Sequence, residues 1–173
     1  MGEFVPFSRI KHKQQFIELN VEFLNWTVEV IKARYGVDIV AIMGGTAREY
    51  VEASYEEVAR SFERDGIFYI LEVAGEAMGM GGVRKLEEGI CEIKRMYIRP
   101  ECRGQGLGKE LVRKLLEHAG SVGFSLVRLE SGVYMESAHH IYRSLGFKER
   151  EPYDGYETPE PFKPFAIFME LEL

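Results

Sequence analysis

The chain has 173 residues, of which 46% are hydrophobic and 29% are charged, as is usual for a globular protein. This length can bury one substantial core, so we expect a single domain over residues 1–173. The formal net charge of −6 argues against broad contact with nucleic acid or with an anionic membrane surface.

The first third of the chain predicts one short strand and two helices. Residues 4–10, FVPFSRI, are the strand candidate. From about Lys11 to Tyr35, apolar residues recur at helical spacing, and Gly36 follows as a stop signal. Residues 37–46 are ambiguous and fit a loop over the core, and a second helix is predicted over residues 47–65.

The middle of the chain predicts an antiparallel meander. Three strand-like runs cover residues 67–75, 76–87 and 90–98. Turn signals near Gly75 and Gly89 separate them, so we expect neighbouring strands joined by tight turns.

The last part of the chain predicts helices that alternate with strands. A helix is expected from about Gln105 to Ala119, closed by Gly120. After it we expect a strand at 125–131, a helix at 136–146, a strand at 147–153, a loop rich in proline and aromatic residues at 152–164, and a strand at 165–173. The order β-α-α-β-β-β-α-β-α-β-β predicts a mixed α/β fold with a mostly antiparallel central sheet flanked by helices.

Cysteine and histidine usage indicates the compartment and the absence of a metal site. The two cysteines, Cys91 and Cys102, predict free thiols in a reducing cytosol rather than a disulfide. We find no apolar run long enough to span a bilayer and no signal-peptide pattern, so a cytoplasmic protein is expected. The four histidines lack the spacing of zinc ligands, so no metal is expected.

A glycine-rich stretch, RGQGLGK at residues 103–109, joins the meander to the next helix. Glycines let backbone amides approach a ligand closely, and a helix N-terminus favours an anion. A nucleotide-triphosphate loop fits poorly, because Gly104 and Gly108 are one residue too close and Glu110 stands at the hydroxyl position. A dinucleotide fingerprint would need its third glycine where Lys109 stands. An acidic residue near the end of the next strand is also typical of such a site, and Glu130 lies there, so a dinucleotide site remains an alternative. A turn without any ligand is a further alternative.

The same stretch resembles part of a known enzyme family. RGQGLG has the form [QR]xxGx[GA], which resembles the acetyl-CoA pyrophosphate loop of the GCN5-related N-acetyltransferase (GNAT) family. Residues 91–119 resemble that family's fourth strand, loop and third helix, and residues 137–149, SAHHIYRSLGFKE, resemble its AxxxYxxxGF segment. The predicted order of elements also matches the family's topology. The resemblance implies an N-acetyltransferase that uses acetyl-CoA without a metal.

The resemblance implies that two backbone segments hold acetyl-CoA. Met96, Tyr97 and Ile98 would pair with the pantetheine arm as an added strand would, and the Met96 amide would polarise the thioester carbonyl. The loop amides would bind the pyrophosphate at the positive end of the helix dipole. The loop residues are Arg103, Gly104, Gln105, Gly106, Leu107, Gly108 and Lys109.

The resemblance also implies two catalytic residues. Glu92 lies four residues before Met96, where some family members carry a glutamate base that takes a proton from the ammonium. Tyr142 matches the tyrosine that protonates the departing thiolate. The alternatives are a solvent-facing strand glutamate and an amphipathic core tyrosine. Many relatives carry asparagine seven residues before the tyrosine; this chain has Met135, so that contact with the cofactor arm is missing or replaced.

The expected reaction is direct transfer of an acetyl group to a primary amine, of a small molecule or of a peptide or protein, within a ternary complex. The loop before the last strand could form an aromatic and acidic rim for a cationic amine, or could simply pack inward. That rim would consist of Tyr153, Asp154, Tyr156, Glu157, Phe162 and Phe165. The rival function is a non-catalytic acyl-CoA-binding sensor or interaction module. A homodimer through the terminal strands is consistent with the resemblance.

Overall fold

The computed structural model describes residues 2–40, 44–158 and 160–173, which form one seven-stranded sheet and four α-helices. The strands are β1 (Glu3–Pro6), β2 (Ile67–Val73), β3 (Glu76–Glu87), β4 (Ile90–Ile98), β5 (Leu126–Gly132), β6 (Lys148–Arg150) and β7 (Ala166–Glu172). The helices are α1 (Lys13–Tyr35), α2 (Ala47–Ser61), α3 (Leu107–Val122) and α4 (Glu136–Ser144).

The sheet has the order β1-β2-β3-β4-β5-β7-β6. Its neighbouring strands are antiparallel except β4 and β5, which are parallel. The predicted mixed, mostly antiparallel α/β fold is therefore confirmed. Among the described residues, no helix is both long and apolar enough to cross a membrane.

Two apolar layers cover the two faces of the sheet, and strand alternation explains how one strand serves both. On β2, Phe68 and Ile70 pack with α1 and α2, whereas Leu71 packs with α3 and α4. Leu111 and Leu115 of α3 are fully buried in the second layer. The site described below lies where the sheet between these layers is interrupted.

Several predicted element ends are wrong by a few residues. Helix α3 runs through Gly120 to Val122, because the left-handed residue that ends it is Gly123, with φ of 99°. Helix α2 ends at Ser61 rather than near residue 65. The ambiguous segment 37–46 contains residues 41–43, which lie outside the described residues.

Strand β4 carries a bulge at Arg95 and Met96. Tyr97 pairs with Met80 and Lys94 pairs with Gly82, so the two bulge residues oppose Gly81 alone. Arg95 has a φ of 57°, which is uncommon for any residue except glycine. A β-carbon on Gly81 would collide with the Met96 sulfur, so the Met96 side chain could keep its present position only opposite a glycine.

The sheet opens between the ends of β4 and β5. The two strands pair only from Ile90–Ile93 to Leu126–Leu129. Beyond these residues β5 continues to pair with β7, while β4 continues to pair with β3. The edge of β4 that faces β5 is therefore free of strand pairing over its last residues, 94–98.

Candidate active site

A cavity of about 460 Å³ occupies the opening between β4 and β5. This volume lies in the range of small-molecule sites. Much of the wall is apolar: α1 contributes Phe23, Leu24 and Ile31, and the loop before β7 contributes Phe162 and Phe165. Of the aromatic rim predicted from that loop, these two phenylalanines line the cavity.

Tyr142 and Met96, two of the predicted site residues, lie at this opening. Both line the cavity, Tyr142 from α4 and Met96 from the bulge of β4. Burial raises the pKa of Tyr142 far above its ordinary value, so its hydroxyl stays protonated at neutral pH. The side chains of Tyr97 and Ile98 pack in opposite apolar layers instead, so a cofactor role for these two residues would be limited to their backbone.

The glycine loop leaves the N-terminus of α3 uncapped. Its N-cap is Gly106, which supplies no capping side chain. The first amides of a helix have no partner within the helix, so they are free to bind an anion here. Gly104 and Gly106 have φ values of 76° and 81°, a conformation that costs other residues about 1–2 kcal/mol. Arg103 is exposed, and its Nε donates to the Ile98 carbonyl at 2.8 Å.

Glu92 is fully buried and does not line the cavity. Its Oε2 lies 2.7 Å from Nη2 of Arg84. Its Oε1 accepts a hydrogen bond from the Tyr153 hydroxyl at 2.7 Å. The base role of Glu92 stays a prediction, and the contacts observed here tie β3, β4 and the loop before β7 together.

Two other carboxylates, Glu130 and Glu157, line the cavity around Lys94. Lys94 forms ion pairs with both, and Arg84 contacts Glu157 at 2.7 Å. Glu130 also accepts hydrogen bonds from the amides of Glu157 and Thr158, at 3.0 and 3.1 Å. Burial acts to raise the pKa of both carboxyls, but the Lys94 ammonium contributes to lowering both pKa values below their ordinary values. Both groups are therefore ionised at neutral pH.

Sequence reasoning missed several polar residues at the cavity, among them Arg95, Asn20 and Ser131. Arg95 and Asn20 line it together, and Arg95 Nη1 donates to Asn20 Oδ1 at 2.9 Å. Ser131 lines it from the end of β5, and its Oγ lies 3.1 Å from Nε2 of the buried His139. The signal for Arg95 was its position among alternating charges on β4; no local signal indicated that a bulge would aim it inward.

Met135 stands where many relatives carry asparagine, and it lines the cavity among apolar neighbours. The Ser131 hydroxyl lies 3.4 Å from its sulfur. Ser131 therefore places a hydroxyl beside Met135 at the cavity wall.

Residues 38–147 match the model of the acetyltransferase (GNAT) family. The chain belongs to this family. It is 31% identical over 125 residues to the uncharacterized N-acetyltransferase YjgM of Escherichia coli, covering 70% of this chain and 72% of that protein. It is 34% identical over 107 residues to the IAA acetyltransferase of Azospirillum brasilense, covering 61% of this chain and 67% of the relative.

Solved structures of GNAT proteins share the whole fold. A putative acyl-CoA N-acyltransferase from Klebsiella pneumoniae superposes with a TM-score of 0.73 at 24% identity, covering 100% of this chain and 98% of the other. The PaiA N-acetyltransferase of Thermoplasma acidophilum, solved in complex with coenzyme A, superposes with a TM-score of 0.74 at 22% identity. The match covers 100% of this chain and 99% of the other. At these identities the likeness concerns the fold.

The predicted GNAT membership and the prediction of an acetyl-CoA-dependent acetyltransferase are confirmed by the family match and by relatives named as N-acetyltransferases. The dinucleotide alternative does not hold, because the sheet is mostly antiparallel rather than the parallel sheet that such a site requires.

Proposed function

We propose that this GNAT enzyme transfers the acetyl group of acetyl-CoA directly to a primary amine bound in the same cavity. The observation that carries the proposal is that one continuous cavity connects Met96 and Tyr142 with the carboxylates Glu130 and Glu157. A thioester at one end and an amine at the other would then need no carrier between them. Holding both reactants in one site converts a bimolecular step into an effectively unimolecular one.

Acetyl-CoA supplies the activated acetyl thioester. The chain has two backbone segments whose chemistry suits the binding of this molecule. The unpaired edge of β4 beyond Ile93 can bond to the amides of the pantetheine arm. The uncapped amides at the start of α3, from Leu107 onwards, suit the pyrophosphate. In this proposal Gln105 supplies a backbone amide, because its side chain bonds to the Glu101 carbonyl. The Arg103 amide already donates to the Pro100 carbonyl at 3.1 Å, and the Arg103 side chain bonds to the Ile98 carbonyl.

Tyr142 is proposed to act on the leaving thiolate. Its hydroxyl, kept protonated by burial, can donate a hydrogen bond to the sulfur as negative charge develops there. On the acceptor side, the ammonium must lose a proton before it attacks, and an ionised carboxylate is proposed to receive it. Glu157 lines the cavity and has a side chain 43% exposed, so it can pass that proton to solvent. Glu92 lies outside the cavity lining, and its Oε1 is 3.8 Å from the Nζ of Lys94, which also pairs with Glu157.

Replacing Gly106 with alanine is expected to weaken coenzyme A binding by about five- to thirtyfold. The substitution forces a β-carbon into a left-handed conformation that costs about 1–2 kcal/mol, so the loop amides shift from their present positions. Calorimetric titration with coenzyme A measures the effect. The matched control is Gly120→Ala in the body of α3, where an added β-carbon meets no atom within 4 Å. Equal affinities in both variants would show that the loop does not bind the cofactor.

Initial-velocity kinetics test the direct transfer. With acetyl-CoA and an accepted amine varied together, we expect intersecting reciprocal plots, as for a ternary complex. Burial raises the pKa of the Cys91 thiol to about 12, and Cys102 is also buried, so neither is suited to carry an acetyl group. Parallel plots together with an acetylated protein would overturn direct transfer, since they indicate a covalent intermediate.

A further inference from the structure

Arg95 presents a cation with unused hydrogen-bond donors to the cavity. A guanidinium has five N–H donors, and the described side-chain partner of Arg95 is the Asn20 amide oxygen, at 2.9 Å. Asn20 is itself held by α1, because its Nδ2 donates to the Phe16 carbonyl at 2.8 Å. Burial lowers the pKa of the guanidinium, because removal from water disfavours the charged form.

The charge of Arg95 is balanced only at a distance. In the described part of the chain its guanidinium forms no ion pair, and the nearby carboxylates of Glu130 and Glu157 are bound by Lys94 and Arg84. Buried charges are ordinarily paired, so a guanidinium facing a cavity in this state suits an anion that enters from outside. The strained backbone of Arg95 at the bulge also supports a ligand-binding role for this residue, because backbone strain is common at functional sites.

The cavity that Arg95 lines also contains a negatively charged side chain, that of Glu157. Glu157 lines the same cavity, is ionised, and reaches solvent. A ligand that carried only an ammonium would leave Arg95 without an anionic partner. Glu157 already pairs with Lys94 and Arg84, but its side chain is 43% exposed and can also contact an ammonium. A zwitterion matches both groups at once.

We propose that the acceptor is an amine that also carries a carboxylate, as an α-amino acid does, and that Arg95 binds this carboxylate while the amine lies toward Glu157. The inference rests on the proposed amine acetyltransferase function and names its substrate class. Much of the remaining wall is apolar, with Phe23, Leu24 and Phe162 facing the space. An apolar or aromatic side chain on the amino acid fits this wall by burying its surface there.

The test compares amino acids with the amines that lack only the carboxylate. Thiol release from acetyl-CoA is measured with phenylalanine against phenethylamine, leucine against isoamylamine, and tryptophan against tryptamine. We expect at least one amino acid to be preferred by about ten- to a hundredfold in kcat/KM, the effect of one charge-assisted pair. Equal or better turnover of every carboxylate-free amine would overturn the inference.

The variant Arg95→Asn removes the guanidinium while keeping a residue that tolerates positive φ. It is expected to abolish the preference for the amino acid. The matched control is Arg128→Gln on β5, since Arg128 pairs with Glu87 and Glu170 and does not line the cavity. Arg95→Lys keeps the charge without the planar fork, and it should lose part of the preference. A preference that survives in Arg95→Asn would contradict the role of Arg95.

A binding measurement separates this inference from the proposed function. N-acetyl amino acids and their carboxamides are titrated calorimetrically into the wild-type protein and Arg95→Asn; neither ligand requires transfer to occur. We expect the N-acetyl acids to bind more tightly than the carboxamides, in an Arg95-dependent manner. If they do and no amine releases thiol, the carboxylate site at Arg95 stands and the proposed function fails. If amines are acetylated but carboxylates confer no advantage in rate or binding, the function stands and the inference fails.

Discussion

Replacing Glu92 with glutamine is expected to lower the free energy of unfolding by about 3 kcal/mol. Removing one partner of a buried ion pair costs about 3–5 kcal/mol, because the other charge is left without compensation. The lower end applies here, since Arg84 keeps a second partner in Glu157. The Tyr153 hydroxyl also loses a charged acceptor. Urea denaturation followed by circular dichroism measures the change.

The matched control for this variant is Glu149→Gln. Glu149 pairs with Arg143 at the surface, where both side chains are more than half exposed, at 56% and 53%. Exposed pairs contribute about 0–1 kcal/mol, so this variant should unfold almost as the wild type does. A Glu92 variant as stable as the Glu149 variant would contradict the structural role given to Glu92. Turnover of the folded Glu92 variant then tests the base role separately: retained turnover would remove Glu92 as the base.

Tyr142→Phe is expected to lower kcat by about a hundredfold or more, with little change in the affinity for acetyl-CoA. General acid assistance typically contributes about 10²–10⁴ to a rate, and the substitution removes only the hydroxyl. The ring stays in place because it packs against Phe147, with centroids 5.7 Å apart. Steady-state kinetics give kcat, and calorimetric titration gives the dissociation constant of acetyl-CoA.

Tyr69→Phe is the control for the loss of a tyrosine hydroxyl. Burial raises the pKa of Tyr69 as it does for Tyr142, but Tyr69 lies on β2 and does not line the cavity. Its variant should keep the wild-type kcat. If Tyr142→Phe also turned over at the wild-type rate, Tyr142 would be removed as the group that assists the leaving thiolate.

The meander was the part of the fold that local pattern could predict best. Strands β3 and β4 have the bounds expected from alternation, because the turn at Gly89 lies between two uninterrupted runs. The end of α3 was wrong for a physical reason. Gly120 and Gly123 look alike in sequence, and only the backbone conformation shows that Gly123 is the left-handed residue.

The candidate site also contains residues that local sequence pattern could predict and residues that it could not. The glycine loop and Tyr142 were found because each belongs to a contiguous motif. The burial of Glu92 could not be found, because its hydrogen-bond partner Tyr153 is 61 residues away in sequence. The inward position of Arg95 depends on a bulge that requires the Met80 and Gly82 pairing of another strand. Long-range contacts of this kind leave no periodic signal in the chain.

Thiol release from acetyl-CoA, measured with a panel of primary amines that includes the amino acids, tests acetyl transfer to an amine most directly. The arrangement of Tyr142, Glu157 and the opened sheet predicts stoichiometric release of coenzyme A and formation of an N-acetyl product with one class of amine. Tight binding of acetyl-CoA without thiol release for any amine in the panel would contradict it, and would instead support a non-catalytic acyl-CoA-binding protein built on the same fold.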